Sequence, residues 1–417
     1  MKLSILTPEI FLLTWSGLVL VLNYFVKTKA YIVKLSISGL AITAIILFFS
    51  PKGELFRQAF LADDFSLIFK IIFLVSAIFT LLSWNQKNTV QAAFLLLLSS
   101  LVCMLLVSTA EILTFLAAWC LLAVCLYFLI YRYSSQISWQ YLILQMTTIL
   151  IFVLGASLIF GITGATSFSD IKISLVLGFF QGGTPGLVLV LAIILILVSL
   201  SIQLSVFPFH TSWVRLFQEL PTPLVAFFNI SIKLAFLAFL MRFFIRSFLI
   251  YHPQWIKVLS FLAATSLLYG ALKIFKETDF KKILTNFTIF QTGLILIGIV
   301  SGTQASIEAS IFYIWAYFFS NWGIYTWLLV AEKNHYTDWG LSGIFKKSKI
   351  LAVVLTVLLF SLAGLPFTGG FWGRAYLFES AWSFRRFTLV TVGVITSILA
   401  IIYLWRQIKK IFTTSSV

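Results

Sequence analysis

Long apolar runs, parted by short polar breaks, repeat along almost the whole chain, and this rhythm constrains the fold more than any other feature. About thirteen such runs can be marked in the 417 residues, with approximate limits 6–25, 31–50, 65–84, 91–107, 112–131, 140–162, 187–209, 224–250, 254–275, 283–301, 305–331, 349–376 and 387–405. A run of roughly 20 apolar residues is enough to cross a hydrocarbon layer about 30 Å thick. Lipid offers the backbone no hydrogen bonds, so each run is expected to be a helix. A β-barrel fits poorly, because its segments would alternate apolar and polar over about ten residues. A soluble chain fits no better: with 61% apolar and 10% charged residues, there are too few charges to cover a surface facing water. The reading is an all-α polytopic membrane protein. The stretch 168–186, with Asp170, Lys172, Gly182, Gly183, Pro185 and Gly186, reads as a loop with a partial helix, and no gap has room for a soluble domain.

The net charge of +16, from 29 basic and 13 acidic residues, would suit nucleic acid if the charges were clustered. They lie instead mostly in short loops between spans, so lipid and not nucleic acid is the expected surrounding. Loops after odd-numbered spans and the tail hold about 17 basic residues, among them Lys27, Lys87, Arg132, Arg215, Lys276, Lys346, Arg406 and Lys409, against about 10 on the other side, among them Lys52, Arg57, Lys172 and Arg246. The positive-inside rule then places the N-terminus outside and the C-terminus in the cytoplasm or matrix. A multi-pass protein of a bacterial cell membrane or an organelle inner membrane is expected, and no cleavable signal is needed, since the first span can insert and stay. Cys103, Cys120 and Cys125 fall inside apolar runs with no CxxC pair and no histidine beside them, so no metal, haem or iron–sulfur ligand set is expected.

Two basic residues, Lys233 and Arg374, stand out within spans. Lys233 is about ten residues into the eighth run, which at about 1.5 Å per residue puts it about 15 Å deep, near the midplane. An unpaired charge there costs at least ~2.5–3.5 kcal/mol, so it should face protein or water. The alternative is a lysine that snorkels or pairs for structural reasons. Arg374 follows Gly364-Leu365-Pro366-Phe367-Thr368-Gly369-Gly370-Phe371-Trp372-Gly373, where four glycines and a proline in ten residues will not make a continuous helix. The seventh run also ends in a break, Pro208-Phe209-His210, followed by Pro221-Thr222-Pro223. If a three-helix segment (1–90) precedes two repeats, spans 4–8 (91–250) and 9–13 (251–417), the interrupted seventh and twelfth spans occupy the same place in each. Paired interruptions mark ion paths in transporters built from inverted repeats, although kinking for packing would also produce them.

His210 is either a proton relay or an anchor of the break. Glu379 follows Arg374 by five residues, close enough to pair with it if the helix resumes. Glu111 sits in a short interfacial turn; His252, in a loop before Pro253, and His335, in the polar 332–348 loop, require no function. The 44 Phe and 13 Trp suit lipid-facing and belt positions, and they define no quinone site.

Several stretches together resemble the antiporter-like membrane subunits of respiratory complex I, most closely its subunit N (subunit 2 in mitochondria). They are Pro8-Glu9-Ile10, Asp64-Phe65-Ser66 with Lys70, Gly161 to Ile171, Pro208-Phe209-His210, Pro221-Thr222-Pro223 with Ala226-Phe227, Lys233 with Arg242, and Phe280-Lys281-Lys282-Ile283-Leu284 with Gly293 and Gly298. The most specific is Ser361-Leu362-Ala363-Gly364-Leu365-Pro366-Phe367-Thr368-Gly369-Gly370-Phe371, which is nearly the family's broken-helix signature. The resemblance covers almost the whole chain. It implies two inverted five-helix repeats, a role in redox-driven proton translocation beside other membrane subunits, and no cofactor on this chain, with NADH and quinone used elsewhere in the complex. A final span that it also implies has no counterpart, since the chain stops soon after Trp405.

The resemblance further implies a line of an acid in the fifth span and lysines in the seventh, eighth and twelfth, and here this chain departs. The acid position is Trp119, the seventh-span lysine is Gln203, the twelfth is Arg374, and Lys233 alone is kept. A basic position opening the sixth span is Gln140, and two acids after the histidine read Arg215 and Gln218. A buried lysine can release and recover a proton because burial lowers its pKa. Arginine holds its proton above about pH 12, and an amide does not titrate at all. Three functions follow as expectations: a complex I-like subunit with a reduced proton path around Lys233 and His210, a degenerate subunit that only bridges its neighbours, or a subunit of a cation/proton antiporter.

Overall fold

The computed structural model describes residues 2–25, 29–56, 58–84, 89–180, 186–277, 279–333 and 344–413. Lys27, Arg57, Lys87, Gly182, Gly183, Pro185 and His335 lie outside the described residues. In chain order the elements are α1 (Thr7–Phe25), α2 (Lys29–Phe49), a hairpin of β1 (Gly53–Leu55) and β2 (Phe60–Ala62), α3 (Asp64–Leu82), α4 (Thr89–Ser108), α5 (Ile112–Tyr131), α6 (Ser135–Thr163), α7 (Phe168–Phe180) and α8 (Leu187–Gln203). There follow α9 (Thr211–Glu219), α10 (Thr222–Phe227), a π turn (Phe228–Ile232), α11 (Lys233–Ser247), α12 (His252–Lys273), α13 (Phe280–Ser301) and α14 (Gln304–Lys333). The chain closes with α15 (Ile344–Lys347), α16 (Lys349–Ala363), α17 (Gly369–Ser383) and α18 (Phe387–Phe412). Among the described residues, ten helices are long and apolar enough to cross a membrane. Two shorter apolar helices, α8 and α16, end where the seventh and twelfth runs were expected to break. The expected loop at 168–186 is a helix over most of its length, because Phe168, Ile171 and Leu175 recur at helical spacing and bury one face. His252 is the first residue of α12 and not a loop residue; Pro253 follows it where a helix tolerates proline.

Contacts divide the chain into two compact units, residues 1–203 with 223–251, and residues 204–222 with 252–417. In the first, α1 packs on α2 and α4, α3 on α2 and α4, and α4 through α6 follow one another to α8. The most apolar stretch of the helix from Thr222 to Ser247 is buried throughout; α11 lies against α4, α7 and α8. At one rim, backbone hydrogen bonds join the hairpin to the turns between helices: Ala110 donates to Ala59 and accepts from Phe168, both at 2.9 Å, and Ile112 donates to Thr166 at 3.0 Å. These bonds satisfy backbone groups that the helix ends leave open.

Asp63 caps α3 in a reciprocal box with Ser66, the arrangement that satisfies two helix-end groups at once. It also accepts from Arg242 at 2.6 Å and lies 3.5 Å from Arg246. Burial opposes its ionisation, yet the Arg242 guanidinium and the Ser66 hydrogen bonds hold its carboxyl below the usual carboxylate range. A depressed folded pKa makes the carboxylate's contribution complete above the unfolded value, and that contribution is lost as the pH falls through the folded one. Thermal stability is therefore expected to decline in strong acid in the native chain, and to decline less in Asp63→Asn, as measured by melting at stepped pH.

In the second unit α13 is the enclosed helix, with α9, α12, α14, α17 and α18 around it. α12 approaches it at Gly270, where a Cβ would stand 2.6 Å from the Phe290 backbone nitrogen. The run expected at 349–376 is two helices. Gly364 ends α16 at φ 78°, Phe367 adopts φ 68°, and Thr368 starts α17 by accepting from the Phe371 amide. Only glycine takes the first of these conformations at no steric cost.

Candidate functional site

In the first unit the residues at the expected acid and lysine positions do meet, but as neutral groups. Trp119 donates its indole N–H to Gln145 Oε1 at 2.9 Å. Gln203 Nε2 donates to the same oxygen at 2.7 Å and to Thr148 Oγ1 at 3.0 Å, and Gln145 Nε2 returns a 3.3 Å bond to Gln203 Oε1. All four side chains are buried. The result is a closed set of side-chain bonds, each donor meeting an acceptor without a charge. Gln145 and Thr148, polar residues in the middle of the sixth run, complete it and were not singled out from the sequence.

An aromatic cluster seals this network. Trp119 stands edge-on to Phe115, Phe152 and Phe236 at 5.6, 5.5 and 4.9 Å between ring centres. Phe236 is one turn beyond Lys233. Lys233 itself is 3% exposed and opens α11 directly after the π turn, a local widening that recurs at functional positions in helices. Asn229, four residues earlier, shares its helix face by spacing. Replacing Gln203 by Leu leaves the amide N–H of Gln145 and its second acceptor contact unmet. We expect this to cost roughly 1–3 kcal/mol in unfolding experiments, with proton movement unchanged, because no titrating group is lost.

In the second unit Arg374 is buried, and its two terminal nitrogens donate to the carbonyl oxygens of Leu362 and Ala363, the last residues of α16. A guanidinium at a helix C-terminus meets open carbonyls and the negative end of the helix dipole together. Its carbon lies 5.4 Å from the centre of the Phe290 ring, and Tyr313 hydrogen-bonds to it. Tyr313 also bonds Gln291, which accepts from Asn321 at 3.4 Å. Tyr313, Gln291 and Asn321 therefore extend a polar line that the sequence reading missed. Glu379 does not join it: five residues along a helix is a rotation of about 140°, and Glu379 lies on the exposed side of α17 while Arg374 lies on the buried side.

His210 precedes α9 without capping it through its side chain. Its ring stands 4.2 Å from Tyr269 and 5.5 Å from Phe207, centre to centre. Its Nδ1 is buried with no hydrogen-bond partner. Glu111 is tied to Thr166 by a 2.7 Å hydrogen bond, an interfacial contact. Pro208 follows a cis bond from Phe207. A Cβ on Gly370 would overlap the Ser361 carbonyl oxygen, so that glycine lets the two halves of the broken span approach closely. Among the described residues no group of three or more His, Cys, Asp or Glu side chains could hold a metal.

Comparison with known proteins agrees with this architecture. Residues 109–400 match the family described as NADH:quinone oxidoreductase/Mrp antiporter, TM. The chain is 29% identical over 401 residues to NAD(P)H-quinone oxidoreductase subunit 2 of Microcystis aeruginosa, covering 92% of this chain and 77% of that one. It is also 29% identical over 426 residues to the protein of the same name from Nostoc punctiforme, covering 97% and 79%. Among solved structures, a chain of respiratory complex I from Thermus thermophilus with bound Aureothin superposes with a TM-score of 0.82 at 23% identity, over 97% of this chain and 90% of that one. A chain of the Mrp complex from Dietzia sp. DQ12-45-1b gives 0.84 at 18% identity, over 100% and 82%. At such identities the structures bear on the fold alone, which is that of the antiporter-like subunits. The sequence match spans most of the chain and takes in Lys233, both helix breaks and Arg374, and the chain belongs to the NADH:quinone oxidoreductase/Mrp antiporter membrane family.

Proposed function

We propose that this chain is a membrane-arm subunit of a complex I-like NADH/quinone oxidoreductase, in which it helps to carry or scaffold redox-coupled proton translocation. Family membership and the names of its relatives support the assembly. NADH and quinone then act on other subunits, and other membrane subunits flank this one. The N-terminus faces outside and the C-terminus the cytoplasm or matrix, and 91–250 and 251–417 act as inverted repeats after the segment 1–90. The observation that carries the reading is the contrast between positions: the amine at Lys233 is kept, while Trp119 and Gln203 are locked in a neutral network and Arg374 caps a helix end. Of these positions, Lys233 is the candidate for handing on protons in the first unit, with His210 a candidate in the second.

That same network favours a second reading, a subunit that bridges its neighbours and moves no proton itself. Purifying the native assembly and identifying its chains tests the placement: redox subunits are expected, and neighbours limited to cation antiporter subunits would overturn it. Substitution of Lys233 separates the two readings.

A further inference from the structure

Glu9 of α1 and Lys70 of α3 form an ion pair of 2.6 Å whose side chains are 5% and 3% exposed. Among the described ion pairs it is the one in which both partners are buried and both can gain or lose a proton; the pair formed by Asp63 and Arg242 includes a guanidinium, which cannot. Glu9 Oε2 is buried with no hydrogen-bond partner. The Lys70 ammonium lies 5.0 Å from the centre of the Phe60 ring, and Phe60 packs with Ile5 and Leu55 into an apolar cluster. The β1–β2 hairpin thus roofs the pair.

A pair that served only to clamp α1 to α3 would gain from bonds to both carboxylate oxygens, and apolar residues of the same size would clamp at least as well. An ionisable pair retained inside a membrane segment points instead to proton chemistry. We propose that Glu9 and Lys70 form a proton-exchange site beneath the hairpin. A proton arriving on the open Oε2 converts the carboxylate to the acid, and the pair passes from neutral to singly positive. Loss of a proton from Lys70 Nζ leaves a neutral acid and a neutral amine. Transfer from Glu9 to Lys70 restores the ion pair, so that one proton has entered and one has left. Among the described residues, the charged groups toward this end include Asp63 with Arg242 and Arg246, Asp64 with Lys52, Glu54 on β1, and Glu111 and Lys172 at the same rim. α4 carries no charged residue, and Lys34 lies near the start of α2, away from the hairpin.

The site does not depend on Lys233, and the test keeps the two apart. Infrared difference spectra of the native assembly, recorded between two pH values in H2O and D2O, are expected to contain the C=O stretch of a protonated carboxyl. That band should persist in Lys233→Met, shift in Glu9→Asp and vanish in Glu9→Gln, and Lys70→Met should move the pH at which it forms. If Lys70→Met fails to assemble, Glu9→Gln, which keeps the volume and an acceptor, carries the test. Retention of the full band in Glu9→Gln would overturn the proposal. Unchanged proton-to-electron stoichiometry in Lys233→Met would count against the Lys233 reading and leave this site standing.

Discussion

Replacing Lys233 by Met is expected to lower the number of protons moved per electron by the assembled complex, while assembly and electron transfer persist. Met keeps most of the length and removes the charge. Lys233→Arg sharpens the result: the guanidinium preserves the charge but does not release a proton at working pH. If proton transfer through Lys233 matters, both variants pump less; if only its charge matters, Arg rescues and Met does not. Stoichiometry measured in liposomes, alongside a native gel for assembly, reads both quantities, and an unchanged ratio in both variants means that Lys233 is structural.

Arg374→Leu is expected to act on stability and not on pumping. It strands the carbonyls of Leu362 and Ala363 and removes the partner of Tyr313, and each buried group left unsatisfied costs about 1–3 kcal/mol. Arg374→Lys should lie between, because an ammonium is a point donor and not a fork able to serve two carbonyls. Gly364→Ala should mimic the loss from the other side: at φ 78° an alanine is strained, and its Cβ would meet the guanidinium at 2.8 Å. Thermal unfolding of the detergent-solubilised assembly checks all three. A rise in proton conductance in Arg374→Lys would show that the position still belongs to a relay.

The spans were legible because apolar runs and their breaks are properties of the chain itself. Pro208, and Gly364 with Pro366, Gly369 and Gly370, marked the interruptions, and α8 and α16 end within a few residues of them. α7 was underestimated because its start is rich in polar residues. The departures at Trp119, Gln203 and Arg374 were also readable, since residue chemistry alone says what cannot titrate. What those residues do instead was not readable. The bond from Gln203 to Gln145 joins residues 58 apart, and that from Arg374 to Ala363 crosses a helix break. Glu9 and Lys70 stand 61 residues apart, each unremarkable within its own span.

The hydrogen bonds that run from the hairpin through Ala110 to Phe168 act like a hoop on a cask. Staves held at one hoop can still splay, but only away from it. For the first unit this means that α4, α5 and α7 share a pivot at that rim, and any opening that admits water must widen toward the opposite end.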